Sequence, residues 1–182
     1  MKRYTILILC LLLSILTLSQ GRYITRAGVI EFLSETPIEN IHAVNNNVSC
    51  IFDPRTGDIA FQLRVVSFKF EKALMQEHFN EKYMESEKYP KSTFVGKIEE
   101  WDPNMIHVID EQVIKVSGNI MIHGVEQSIS CSGLFFAGSD SISLTSTFSV
   151  DPKDFNIKIP KIVRKNIADV IEIGVEVEMK HP

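Results

Sequence analysis

Ile114-Lys115-Val116-Ser117-Gly118-Asn119-Ile120-Met121-Ile122-His123-Gly124-Val125 is the stretch that decides how this 182-residue chain folds. Ile114, Val116, Gly118, Ile120 and Ile122 alternate with Lys115, Ser117, Asn119 and Met121, which puts the larger apolar set on one side. A period of two marks a β-strand with one greasy and one wet face, and such strands pair antiparallel. Gly124 supplies the turn that ends it.

Working outward, the same rhythm recurs at Ile59–Val66, Ile142–Ser149 and Ile171–Met179, and more weakly at Val29–Glu35, Ile38–Val44, Val48–Phe52, Thr93–Trp101 and Ser128–Phe136. Asp53-Pro54-Arg55-Thr56-Gly57, Asp102-Pro103-Asn104 and Gly138-Ser139-Asp140 separate these runs with turn-forming residues. About eight short strands spaced by turns predict an all-β fold, a sandwich or a closed up-and-down barrel. Closure has the advantage of leaving no strand edge to aggregate. One interval breaks the pattern. Glu71 to Met84 lacks Gly and Pro and sets Met75, Phe79 and Tyr83 four apart, so it predicts one helix of about 10–14 residues lying over the barrel or across its mouth. Pro90 turns the chain back to extended structure.

The chain opens with Lys2 and Arg3, runs apolar from Ile6 to Leu18, and returns to polarity at Ser19-Gln20-Gly21. That is the layout of a secretory signal peptide, expected over residues 1–21, with a single domain over 22–182. The run is too short for a spanning helix, which takes roughly 20 apolar residues. The expected location is therefore periplasmic or secreted, with no integral membrane span in the mature chain. Cys10 lies inside the apolar run behind Leu9, a poor context for lipidation. In an oxidising compartment Cys50 and Cys131 could pair, yet each also sits among apolar strand residues where a thiol serves as a small hydrophobe. Losing Lys2 and Arg3 leaves 17 cations against 23 acids, a charge of −6. Such a chain is a poor nucleic-acid binder, because that binding draws on clustered Lys and Arg.

No catalytic site is expected. His42, His78, His107, His123 and His181 are scattered, and there is no HExxH, metal-type CxxC, GxSxG or phosphate-cradling Gly-rich loop. His78 with Glu77, Glu81 and Glu85 is the densest acid/base group, read as a solvated helix face rather than a metal site; no metal or other cofactor is expected. Eleven Phe residues suit the interior of a barrel, and small eight-stranded barrels either fill with side chains or hold one ligand. Gly96, Gly118, Gly133 and Ser146 fall on the expected inward faces, where missing side chains either leave room for a guest or relieve a crowded core. Lys153, Lys158, Lys161, Arg164 and Lys165 form the one cationic cluster; Lys158, Lys161 and Arg164 are candidates for an anionic head group, as against a solvated loop.

His78-Phe79-Asn80-Glu81-Lys82-Tyr83-Met84-Glu85-Ser86-Glu87-Lys88-Tyr89-Pro90, followed by Thr93-Phe94 and Gly96, resembles the helix and "yP..tF.G" signature of the YceI-like family. Ile122-His123-Gly124-Val125 is similar to its "ltihGv" segment, and Thr56-Gly57-Asp58-Ile59 to its "G.i.f" strand. The similarity runs from about Arg22 to Met179. It implies a lipocalin-like antiparallel barrel of about eight strands, exported to the periplasm, holding a polyisoprenoid tail and having no established catalytic activity. Where many members carry an Asp and a His-Ser pair near the first strand, this chain reads Thr25-Arg26-Ala27-Gly28-Val29, so no head-group contact carries over.

The preferred expectation is thus a barrel that binds or carries an apolar small molecule, a polyisoprenoid or another lipid such as a fatty-acyl chain. Phe32, Phe61, Leu63, Phe94, Ile98, Ile120, Phe135 and Phe148 would line it, and Leu74, His78, Phe79 and Tyr83 would stand at the entrance. Two alternatives stand beside it: a lipid-modifying enzyme using His123 or His78, and a filled structural barrel. A homodimer is left open.

Overall fold

The computed structural model describes residues 21–182; the expected leader lies outside the described residues but for Gly21. Within them nine strands follow in order: β1 (Tyr23–Glu35), β2 (Asn40–Asp53), β3 (Asp58–Arg64), β4 (Lys69–Phe70), β5 (Lys91–Ile98), β6 (Gln112–Ile122), β7 (Val125–Ala137), β8 (Ser141–Val150) and β9 (Ile171–Lys180). Eight of them close into a barrel, because β1 pairs antiparallel with both β9 and β2 while the rest run β9-β8-β7-β6-β5-β3-β2. The two-residue β4 is a spur on β2, pairing Phe70 with Ala43. The decisive stretch is β6, paired with β7 along its length from Gln112↔Phe135 to Ile122↔Val125. His123 and Gly124 both take positive φ, 52° and 73°, the backbone that a two-residue hairpin turn requires.

The alternating stretches on either side of Asn45-Asn46-Asn47 form one strand, β2, rather than two. Three polar residues read as a break, but Asn45 is fully buried and satisfied: its Nδ2 donates to the Arg64 carbonyl and its Oδ1 accepts from Asn47 N. Helix α1 spans Ala73–His78 and continues through a π-helical turn, Phe79–Tyr83, for eleven residues in all. No helix among the described residues is long and apolar enough to cross a membrane.

Connections sort to two ends. The β1–β2 turn, the helical segment between β4 and β5, the β6–β7 turn and the long strap between β8 and β9 (residues 151–170) gather at one end. The β2–β3, β5–β6 and β7–β8 links gather at the other. That second end is closed. Trp101 stands edge-on to Phe52 (5.1 Å) and packs on Phe135 (5.3 Å), with its indole N–H donating to the Pro54 carbonyl at 2.8 Å. Phe52, Ile98, Phe135, Ile142, Val177 and Met179, all essentially inaccessible, fill this half. Cys50 is buried there with its thiol 3.4 Å from Met179 Sδ, Cys131 packs at the edge, and both are free rather than joined. Burial pushes the Cys50 thiol far above its ordinary pKa.

Candidate functional site

The half of the barrel beneath the strap and helix is hollow. A cavity of about 320 Å³ opens there, at the lower end of the range of single small-molecule sites. Phe32, Phe61, Leu63, Phe94, Ile120 and Phe148 line it, and so do His78, Phe79 and Tyr83 from the helical segment. Ile98 and Phe135, expected on the lining, belong instead to the filled half, because their positions lie nearer the closed end of β5 and β7. Leu74 does not reach the cavity either. It is 61% exposed on the outer side of α1, whereas Met75, Phe79 and Tyr83 face inward as their spacing predicts.

Four phenylalanines hold the helix over the mouth. Phe79 stacks on Phe32 at 5.4 Å and meets Phe68 at 5.6 Å and Phe70 at 5.0 Å, while Phe32 contacts Phe68 and Phe70 in turn. Aromatic pairs at such spacing contribute beyond their buried area, so α1 is a fixed rim. Phe94 forms the floor. Its ring lies over Gly96 and Gly118, which pair across β5 and β6. The two glycines therefore make room for Phe94, not for a guest.

Sequence reading missed the strap. Ile157, Ile159, Val163 and Ile167 all border the cavity, with Asn166 beside them. The signal is the apolar–cationic alternation of Ile157-Lys158-Ile159, which turns the isoleucines inward and the lysine out. Lys158 and Lys161 point away and are exposed; Arg164 pairs with Asp169, and none of the three lines the cavity. The expected head-group contact from these residues is thus not assembled inside the site.

His123 holds the strap down. Its Nδ1 donates to the Phe155 carbonyl at 3.0 Å and its Nε2 meets Glu85 at 2.9 Å, under the edge of Tyr89. Gln127 donates to the Asp154 carbonyl at 2.9 Å. These contacts fill a gap in the wall, because β7 and β8 pair only from Gly133↔Ser146 to Ala137↔Ile142. Pro152 and Phe155, both buried, occupy the space where the two strands part. With both ring nitrogens engaged and no place on the lining, His123 is a structural residue, and His78 borders the cavity without an acidic partner among the described ion pairs.

The polar groups at the mouth are few. Glu39 accepts from Lys72 at 3.0 Å and from Asn166 at 3.2 Å, which hold its carboxyl below its ordinary pKa, Lys72 contributing most. Burial raises the Tyr83 hydroxyl. Ser34, Gln62, Ser92 and Thr93 complete the polar lining; among the described residues no Lys or Arg takes part. Among the described residues no group of three or more His, Cys, Asp or Glu could hold a metal.

Fold and site together define a closed antiparallel barrel, half filled and half hollow, with an apolar cavity opening at one end. The YceI-like domain profile matches residues 28–179, and the chain belongs to that family. Solved structures share the fold. A polyisoprenoid-binding domain from Saccharophagus degradans, implicated in plant cell wall breakdown, superposes with a TM-score of 0.76 at 12% identity, over 89% of this chain and 99% of that one. BcnA of Burkholderia cenocepacia gives 0.70 at 16% identity, over 83% and 95%. A YceI protein of Campylobacter jejuni gives 0.64 at 20% identity, over 81% and 89%. A sequence search of curated proteins finds no match.

Proposed function

We propose that this barrel binds a long apolar molecule, an isoprenoid or fatty-acyl chain, tail first through its open end. The observation that carries the reading is the cavity itself, about 320 Å³ walled by aliphatic and aromatic side chains. Each buried methylene contributes roughly 0.8 kcal/mol, so about ten give roughly 8 kcal/mol before the cost of ordering both partners. The solved relative described as polyisoprenoid-binding supports an isoprenoid as the first molecule to try. A head group without negative charge fits best, since the lining offers the Glu39 carboxylate and no cation among the described residues. The activity is binding rather than turnover. The basic start, apolar run and polar exit of residues 1–21 support export, so the site of action is the periplasm or the exterior.

The test is extraction of the protein from its native compartment with mass spectrometry of the bound material, followed by titration of the emptied barrel with polyprenol. At a hundredfold excess over Kd the ligand stabilises by about 2.7 kcal/mol, a Tm rise of roughly 5–11 °C. Ile120→Trp, which fills the cavity, abolishes that rise. Protein that carries no lipid and melts unchanged with polyprenol refutes the reading.

A further inference from the structure

The open end carries aliphatic side chains that nothing among the described residues covers. Ile38 in the β1–β2 turn is 59% exposed, Ile162 in the strap 92% and Val170, just before β9, 55%. Their segments are joined, not loose. Glu39 accepts from Lys72 on the helix side and Asn166 in the strap, and Ser34 Oγ accepts from Ala168 N at 2.9 Å. The three apolar tips therefore stand on one rim beside the cavity mouth.

Charge is distributed to match. Residues 158–168 hold Lys158, Lys161, Arg164 and Lys165 and no acid. Lys158, Lys161 and Lys165 are exposed and take part in none of the ion pairs of the described residues, whereas Arg164 is matched by Asp169. At the opposite end residues 99–111 hold Glu99, Glu100, Asp102, Asp110 and Glu111 and no Lys or Arg. The helix side of the mouth is balanced, with Glu71, Glu77 and Glu81 set against Lys69, Lys72 and Lys82, and Lys72 is held by Glu39. A run of unpaired cations without an acid thus coincides with bare aliphatics on the strap side. A negatively charged lipid surface matches the pair: its headgroups attract lysines, and its acyl region takes up isoleucine.

We propose that the strap side of the open end docks on an anionic lipid bilayer, with Ile162 entering the acyl boundary and Lys158, Lys161 and Lys165 over the headgroups. Docked so, the cavity mouth faces the reservoir that an apolar ligand leaves or joins. The inference builds on the proposed ligand binding, but docking itself needs no occupied cavity.

Flotation tests it with residues 21–182, which contain the whole closed sheet and its filled half. Vesicles are phosphatidylcholine alone, or phosphatidylcholine and phosphatidylglycerol in equal parts. The barrel floats with the mixed vesicles, is released by salt, and stays behind with phosphatidylcholine. Each lysine near such a surface contributes about fivefold, so Lys158→Gln, Lys161→Gln and Lys165→Gln combined weaken binding about a hundredfold. Ile162→Ser weakens it about tenfold. Both variants keep the wild-type Tm, because the altered side chains are exposed. Undiminished binding by either variant, or equal flotation with both vesicle types, overturns the proposal. Polyprenol titration in solution involves no vesicle, so failure of docking and failure of ligand binding are told apart.

Discussion

Gly118→Ala adds a single methyl group where the barrel has no room for one. A Cβ at Gly118 would stand 2.4 Å from the Val95 carbonyl oxygen, 2.4 Å from Gly96 Cα and 2.8 Å from the Phe94 ring. The first two are backbone in the paired strand β5 and cannot swing aside as a side chain would. Either β5 and β6 separate locally or the Phe94 ring lifts off its bed into the cavity. Overpacking of this kind costs about 1–3 kcal/mol. For a domain of this size each kcal/mol lowers Tm by roughly 2–4 °C, so the expected fall is roughly 2–12 °C. Polyprenol affinity falls with it, because Phe94 is the cavity floor. Gly174→Ala is the control: the nearest neighbours of the same methyl group in strand β9 belong to the Glu31 side chain, at 3.1 Å from its Cγ. Glu31 is about half exposed, so it can yield, and the added Ala restricts the unfolded chain. Gly174→Ala should leave Tm unchanged or slightly raised. Thermal melts of the two variants decide the matter: equal shifts refute the argument that backbone contact at the Gly96–Gly118 pair sets the floor.

Other consequences are open to measurement. Asp53 accepts from Arg55 N, Nε and Nη2 and from Arg22 Nε, and Arg55 foremost holds its carboxyl far below the usual range. A depressed carboxyl contributes stability above its unfolded value of 3.8 and loses it as pH falls below that. Asp53→Asn should therefore cost about 1 kcal/mol at pH 7 by urea unfolding, with the gap to wild type narrowing in acid. Maleimide labelling of the native protein should modify Cys131 and spare Cys50 until unfolding, and the intact mass should show two thiols; a disulfide refutes the packing at Met179. Phe155→Ala empties the wedge between β7 and β8 and should lower stability by about 3–5 kcal/mol, with hydrogen exchange rising first over residues 151–157.

The barrel was legible because its strands have one wall facing water and one facing the core, so Ile114–Ile122 and Ile171–Met179 print the period of two directly. The unbroken run of β2 is hidden for the opposite reason: Asn45 turns inward, and the tertiary partner Arg64 makes that tolerable. For the site, alternation told which side of a strand faces in but not how far along the barrel each residue lies. Phe94 and Ile98 share one face of β5 yet differ in depth, so Ile98 sits in the filled half while Phe94 borders the cavity. Depth depends on register and on what caps each end. Trp101, whose indole reaches Pro54 across 47 positions, supplies the cap at one end, and no local pattern announces it.

Why the other half stays hollow follows from where its aromatics point. Phe32 and Phe79 stack on each other and each meets Phe68 and Phe70 along the side formed by β1, β4 and the helix, at centroid separations of 5.0 to 5.7 Å. Rings engaged sideways do not extend across the lumen. The facing side carries the branched aliphatics Ile120 and Ile122 of β6, the strand opposite β1, with Ile157 and Ile159 from the strap, while Ile173 of neighbouring β9 stands beside Phe32. Those side chains are too short to bridge to the aromatic wall. At the closed end Phe52, Phe135 and Trp101 instead meet one another across the interior and leave no gap. The cavity is thus a consequence of orientation more than of residue size, and a flexible hydrocarbon tail is the shape that fits between one flat, rigid wall and one knobbed, aliphatic wall.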